Sequence, residues 1–255
     1  MGGMPPRPRF RAFAAVLATS FVLGACASSS AGGGGNTYMR NTNERTAFRL
    51  PQGWTTYDEA TVLGQSGAPQ GDVADPIKWL VGMDGDPAPS VSHVLNGDDV
   101  STDYPEGIAM VQELSFAERD SMSMSTLRNY IFPVDQLIQD DNSAVVVSYD
   151  DEGVKNGTRG VHMVISFREA ILAAARQAAA GQNAPPTDSD ALQRALLGGG
   201  GTAILTPGWV EFNQYSVVDQ STHKLYLMIL VCTSECYQRN RATIEDTVNS
   251  WTVSQ

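Results

Sequence analysis

The chain is short of basic residues. Of its 255 residues, 17 are Lys or Arg and 28 are Asp or Glu, a formal net charge of -11. A nucleic-acid binder meets phosphate with a basic face, and a membrane-surface module clusters Lys and Arg, so the balance argues against both. Thiols and imidazoles are few as well. Three cysteines cannot build a disulfide scaffold or a four-thiolate zinc site. His93, His162 and His223 are scattered, and none is spaced as a metal motif. Nothing in the sequence asks for a cofactor. Hydrophobic residues are 42% and charged residues 18%, which supplies a core and argues against wholesale disorder. At roughly 100–200 residues per domain, the length allows one large domain or two small ones.

What is present begins with an address. Arg7, Arg9 and Arg11 form a positive start, and Ala12 to Leu23 is apolar except for Thr19 and Ser20. That run is too short for the roughly 20 residues a membrane-spanning helix needs, so it reads as the apolar part of a signal peptide. It ends in Leu23-Gly24-Ala25-Cys26, the order of a bacterial lipobox. The reading predicts a signal peptide over 1–25, a lipid on Cys26 and a protein held outside the cytoplasmic membrane. The competing reading is an ordinary secretory signal with a chance cysteine. Cleavage removes three arginines and takes the formal charge from -11 to -14. Residues 26–45, opening on Ala27-Ser28-Ser29-Ser30 and Gly32 to Gly35, read as a flexible tether with a reach of roughly 25 Å.

The remainder, 46–255, reads as one α/β domain. Thr46 to Leu50 is a short strand closed by a Pro51-Gln52-Gly53 turn. Residues 58–106 are rich in Gly, Pro and Asp and read as long loops with one or two short elements, among them Ile77 to Val81. From Gly107 to Phe116, Ile108, Met110, Gln112, Leu114 and Phe116 share one mostly apolar face at strand period. Ser123 or Ser125 caps a short helix around Thr126–Tyr130, which Pro133 ends. Two hairpins follow. Ser143–Tyr149 faces a strand around Val161–Phe167, across an eight-residue polar loop containing Asn156-Gly157. Trp209–Val218 faces Lys224–Val231, and Leu225 to Val231 is apolar throughout, as a central strand covered on both faces would be. Tyr237, Ile244, Val248 and Trp251 then mark the inner side of a helix over 235–250, with a short final strand at Thr252–Ser254. Between the hairpins, 169–202 holds an alanine-rich helix containing Ile171 and Leu172, a Pro185-Pro186 linker and a second short helix. This insertion is either a flap over a pocket or a surface decoration.

Cys232 and Cys236 stand at the end of the last long strand and the start of the last helix. In an oxidising compartment the pair reads as a disulfide, worth roughly 2 kcal/mol in the loop-entropy account. A redox pair or a metal site are the alternatives, and neither has its usual spacing. Gly64-Gln65-Ser66-Gly67-Ala68 has part of a serine-hydrolase elbow, but its fifth position is alanine and Pro69 follows. Asp98-Asp99, Asp140-Asp141 and Asp150-Asp151-Glu152 read as solvated acidic surface before they read as calcium or acid–base sites.

Several stretches together carry a family resemblance: Phe48-Arg49-Leu50-Pro51-Gln52-Gly53-Trp54, Asp103-Tyr104-Pro105-Glu106-Gly107, Leu127 to Pro133, Lys155 to Gly160, Leu225 to Tyr237, and Val248-Asn249-Ser250-Trp251-Thr252-Val253. The set resembles actinobacterial surface lipoproteins of uncharacterised function whose domain looks like the PsbP fold. The resemblance implies an α+β protein, an αβα sandwich with a central, mostly antiparallel sheet and a helical insertion between the long hairpins. It also implies a binding or assembly module of the cell envelope rather than an enzyme. Its expected partner is an unknown protein or small ligand, with Trp79, Ile171 and Leu172 as candidate contacts. An envelope hydrolase using Ser66 or an acidic cluster is the alternative expectation.

Overall fold

A computed structural model describes residues 35–65, 76–94, 103–140, 145–155, 158–168, 209–219, 221 and 223–254. Its strands are β1 (Thr37–Asn41), β2 (Thr46–Leu50), β3 (Thr55–Asp58), β4 (Ile77–Asp84), β5 (Glu106–Glu113), β6 (Val145–Lys155), β7 (Thr158–Arg168), β8 (Trp209–Asp219), β9 (Lys224–Thr233) and β10 (Thr252–Val253). Its helices are α1 (Glu59–Gln65), α2 (Val91–Val94), α3 (Phe116–Ser121), α4 (Met124–Arg128), α5 (Val134–Asp140) and α6 (Ser234–Asn249).

The main sheet has seven strands in the order β3-β4-β5-β9-β8-β7-β6, and every neighbouring pair is antiparallel. Strand β9 lies at its centre, buried from Leu225 to Cys232. Because side chains alternate across a strand, such a run must be covered on both sides. On one face Leu225, Leu227, Ile229 and Val231 join Ile108, Met110, Ile165 and Phe212 under Val62, Val94, Leu127 and Val134 from the short helices α1, α2, α4 and α5. Phe132, Phe167 and Phe212 stack there with centroids 4.7–5.5 Å apart. On the other face Tyr226, Met228, Leu230 and Cys232 meet Tyr237, Ile244 and Val248 of α6, together with Phe48, Leu50 and Trp251.

A second sheet, β1-β2-β10, closes this second face. The Thr46 hydroxyl donates to the Thr252 carbonyl at 2.9 Å and accepts from the Trp251 indole nitrogen. Trp251 packs on Phe48 at 6.0 Å and on Tyr226 at 6.5 Å. Helix α6 starts where the Thr233 side chain accepts from the Cys236 amide, with Glu235 in its first turn, both favourable at a helix N-terminus.

The structure is mixed α/β with an antiparallel central sheet between two helical layers, and it departs from the sequence expectations at several elements. Residues 37–45, expected in the tether, are β1 and the turn into β2. The stretch read as loops carries the full eight-residue strand β4 and helices α1 and α2. Phe116 does not extend β5; it opens α3 and is 77% exposed. Pro133 does not end α4, which stops at Arg128 with Asn129 as its C-cap; it precedes another helix, α5, since a fixed φ and a missing donor suit a helix start. Asp150 to Lys155 are strand, not loop, with Lys155 paired to Thr158. The helical insertion, 169–202, lies outside the described residues.

Gly107 is where the sheet leaves no room for a side chain: a Cβ there would lie 1.9 Å from the Ile229 carbonyl oxygen of β9. Gly64 in α1 has nothing within 4 Å. Gly107→Ala should therefore cost at least about 3 kcal/mol in a denaturant titration, whereas Gly64→Ala should gain about 0.5–1 kcal/mol.

Candidate functional site

At one edge of the main sheet, β5 and β8 end while β7 and β9 begin. Glu113 and Asp219 both pair with Lys224, and Val218 pairs with Arg159. Here a cleft of about 250 Å³ opens, lined by Leu114, Arg119, Asp120, Met122, Leu127, Arg159, Val218 and His223.

Local chemistry places each wall. Ser115 caps α3 by accepting from the Glu118 amide at 3.3 Å, while the Ser115 amide donates to the Glu118 carboxylate at 2.7 Å. This reciprocal cap sets the short helix so that Arg119 folds back, its Nε donating to the Leu114 carbonyl at 2.9 Å. Another guanidinium nitrogen of Arg119 lies 3.9 Å from Glu113. His223 occupies the β8–β9 turn with φ of 58°, a left-handed conformation in which His is tolerated better than most side chains. Its backbone is held on both sides, donating to the Asp219 carbonyl at 2.9 Å and accepting from the Leu114 amide at 3.0 Å. Asp219 fixes the same turn by accepting from the Ser221 amide and hydroxyl. Arg159 sits at the start of β7, and among the described residues no ion pair or side-chain hydrogen bond occupies its guanidinium.

The floor is apolar and the rim carries two guanidiniums, an imidazole and one carboxylate. Among the described residues no hydroxyl or thiol side chain lines the cleft. Sequence reasoning missed it. Arg119, Arg159 and His223 share no motif, and only the strand order brings them together.

Two other polar clusters are buried elsewhere in the fold. Asp84 is 1% exposed and accepts from the amides of Asp86 and Ser90, each at 2.8 Å, with His93 Nδ1 at 3.0 Å. It clasps the loop leading to α2, and burial, followed by the Asp84 charge, pushes the Tyr57 hydroxyl up. On the opposite face His162 Nε2 meets Asn213 Oδ1 at 2.8 Å, and the Asn213 amide donates to the Tyr237 hydroxyl at 3.3 Å. The ring of Tyr215 stands edge-on to His162 at 5.8 Å. The histidines expected to be incidental are thus each tied into the fold.

Cys232 and Cys236 are both fully buried free thiols in this structure. The hydrogen bond with the Cys236 sulfur, followed by burial, pushes the Cys232 thiol well above its ordinary range. Trp79, expected as a contact residue, is half-buried, packs on Phe48 at 6.0 Å and lies against the second core. Cys26, Ser66, Ile171 and Leu172 lie outside the described residues, as do Asp98 and Asp99. Asp103 pairs with Arg239 at 3.2 Å on the surface. Asp151 and Glu152 are exposed on β6. Among the described residues no three His, Cys, Asp or Glu side chains converge as a metal site, and no helix is long and apolar enough to cross a membrane.

No family model and no curated protein matches the chain. Among solved structures it is similar to cyanobacterial PsbP (CyanoP) from Synechocystis sp. PCC 6803, at 11% identity and a TM-score of 0.41, over 91% of this chain and 99% of that one. It is also similar to the Ran-binding protein Mog1p of Saccharomyces cerevisiae, at 8% identity and a TM-score of 0.39, over 87% and 96%. A Pseudomonas aeruginosa protein of unknown function follows at 7% identity and a TM-score of 0.33, over 87% and 99%.

Glu211, partly buried on β8, has its carboxyl pushed up by burial against the opposing pull of Ser234 and Arg241. The folded protein then holds that proton more tightly than the unfolded chain does, so ionised Glu211 costs stability above its folded pKa and nothing below its unfolded one. Glu211→Gln should raise the melting temperature at about pH 7, and the gain should fade as the pH drops towards about 4. Thermal melts across that range read the effect.

Proposed function

We propose that this chain is a membrane-anchored extracytoplasmic lipoprotein that serves as a non-enzymatic binding or assembly module of the cell envelope, with a PsbP-like domain of the actinobacterial surface type. The observation that carries the binding role is the cleft at the sheet edge, with an apolar floor and Arg119, Arg159 and His223 around it. The anchor reading is supported by the basic start, the apolar run from Ala12 to Leu23 and the small residues before Cys26. Ile171 and Leu172 of the insertion remain proposed contacts for a protein partner. The adjacent buried sulfurs support a Cys232–Cys236 disulfide in the exported protein.

Cys26→Ala should move the protein from the membrane fraction to the soluble one and abolish incorporation of a clickable fatty acid. Photo-cross-linking in intact cells should recover a reproducible partner, and repeated capture of nothing would count against the module reading. Thiol titration of the denatured, unreduced lipoprotein should find no free thiol, with two appearing after reduction; two at the outset would remove the disulfide.

A second reading, an envelope hydrolase, has one observation in its favour: Asp84 orients His93 as the orienting acid of a catalytic triad does. The hydroxyls of Ser90 and Ser92, near His93 in the chain, bond each other at 2.7 Å. Labelling by a serine-reactive fluorophosphonate, lost on His93→Ala, would establish the hydrolase; the binding-module reading expects no labelling.

A further inference from the structure

The geometry points to a specific ligand class for the sheet-edge cleft: a small amphiphilic monocarboxylate, one carboxylate on an apolar body. This rests on the reading of the chain as a binding module and adds the chemistry of what it binds.

The charge pattern comes first. The chain carries a formal charge of -11, so its overall field repels anions. Two arginines and a histidine nevertheless face one cleft. Arg119 is held in position through Nε and lies 3.9 Å from Glu113 through one outer nitrogen, which leaves its other outer nitrogen for a ligand. Arg159 is half-buried with no side-chain partner among the described residues, a costly place for an unused guanidinium. A guanidinium fork matches a planar carboxylate through two parallel hydrogen bonds. The carboxylate of Asp120 on the same rim, added to the net charge, works against a dianion and leaves a monoanion as the better fit.

The floor sets the rest of the ligand. Leu114, Met122, Leu127 and Val218 contribute apolar side chains to the lining, which suit a hydrocarbon body on the ligand. The volume of about 250 Å³ falls below that of sites for drug-sized ligands, which limits the body to a short chain or single ring. His223, fixed by its backbone on both sides, also lines the cleft.

The test uses the full chain carrying Cys26→Ala, so that no lipid or detergent competes, and calorimetric titration with octanoate, octan-1-ol, octylammonium and octyl phosphate. Octanoate should bind saturably at one site, the alcohol and the ammonium should bind at least about tenfold more weakly, and Arg159→Met should weaken octanoate by about tenfold or more. Arg159→Lys, which keeps the charge and loses the fork, should fall between. Arg119→Gln provides a second loss-of-binding variant should Arg159→Met melt below the parent protein. The inference is overturned by absent octanoate binding, by octanoate binding unchanged in both arginine variants, or by tighter binding of octyl phosphate. The two levels separate cleanly. Octanoate failure alongside a reproducible cross-linked partner removes the ligand class alone, whereas loss of the partner as well removes the module.

Discussion

Strand β9 is buried on both faces along eight consecutive residues, and the rest of the architecture answers to that demand. A two-sided apolar strand cannot sit at an edge or against water. It takes the centre of the sheet, with β5 and β8 as its neighbours, and each face requires its own cover. The short helices supply one cover and α6 with the small sheet the other. Close contact at the centre also explains Gly107. Where β5 approaches β9 beside Ile229, only a hydrogen fits.

The parts of this plan that were legible in the sequence are those where burial and local chemistry agree. Leu225 to Val231 announces a central strand, Tyr237, Ile244 and Val248 announce α6, and of the two serines offered as a cap, Ser123 caps α4. The parts that were not legible are half-buried or outer elements. Strand β1 buries only alternate residues partially, so Thr37 to Asn41 offers little apolar signal. Strand β6 carries Asp150, Asp151 and Glu152 in its second half, a composition that reads as a turn but sits here on an edge strand, where charge discourages pairing with other chains. Strand β4 is embedded among Gly, Pro and Asp, and the extended pairing with β5 overrides that local composition.

The cleft was illegible for a different reason. Its residues come from the exit of β5, the short α3 and α4, the start of β7 and the β8–β9 turn. They are distant in sequence and adjacent only because antiparallel pairing brings four strand ends to one edge. Pairwise tertiary facts of this kind leave no periodic trace. The same holds for Asn213, whose role between His162 and Tyr237 depends on β8 lying between β7 and α6.

The small sheet ties the first described strand to the last, with β10 paired to β2 and β2 to β1. Thr37 is opposite Leu50, and the β1–β2 turn lies at the far end of that hairpin. A pull on the chain ahead of Thr37 therefore meets the hydrogen bonds of β1 one pair at a time, as a zip rather than as a shear. Being outermost and only partly buried, β1 can peel away while β2, stitched to Thr252, Ser250 and Trp251, holds the core closed. The fold thus has a built-in yielding element at its N-terminal side, and tension there would be spent in β1 before it reached the cleft.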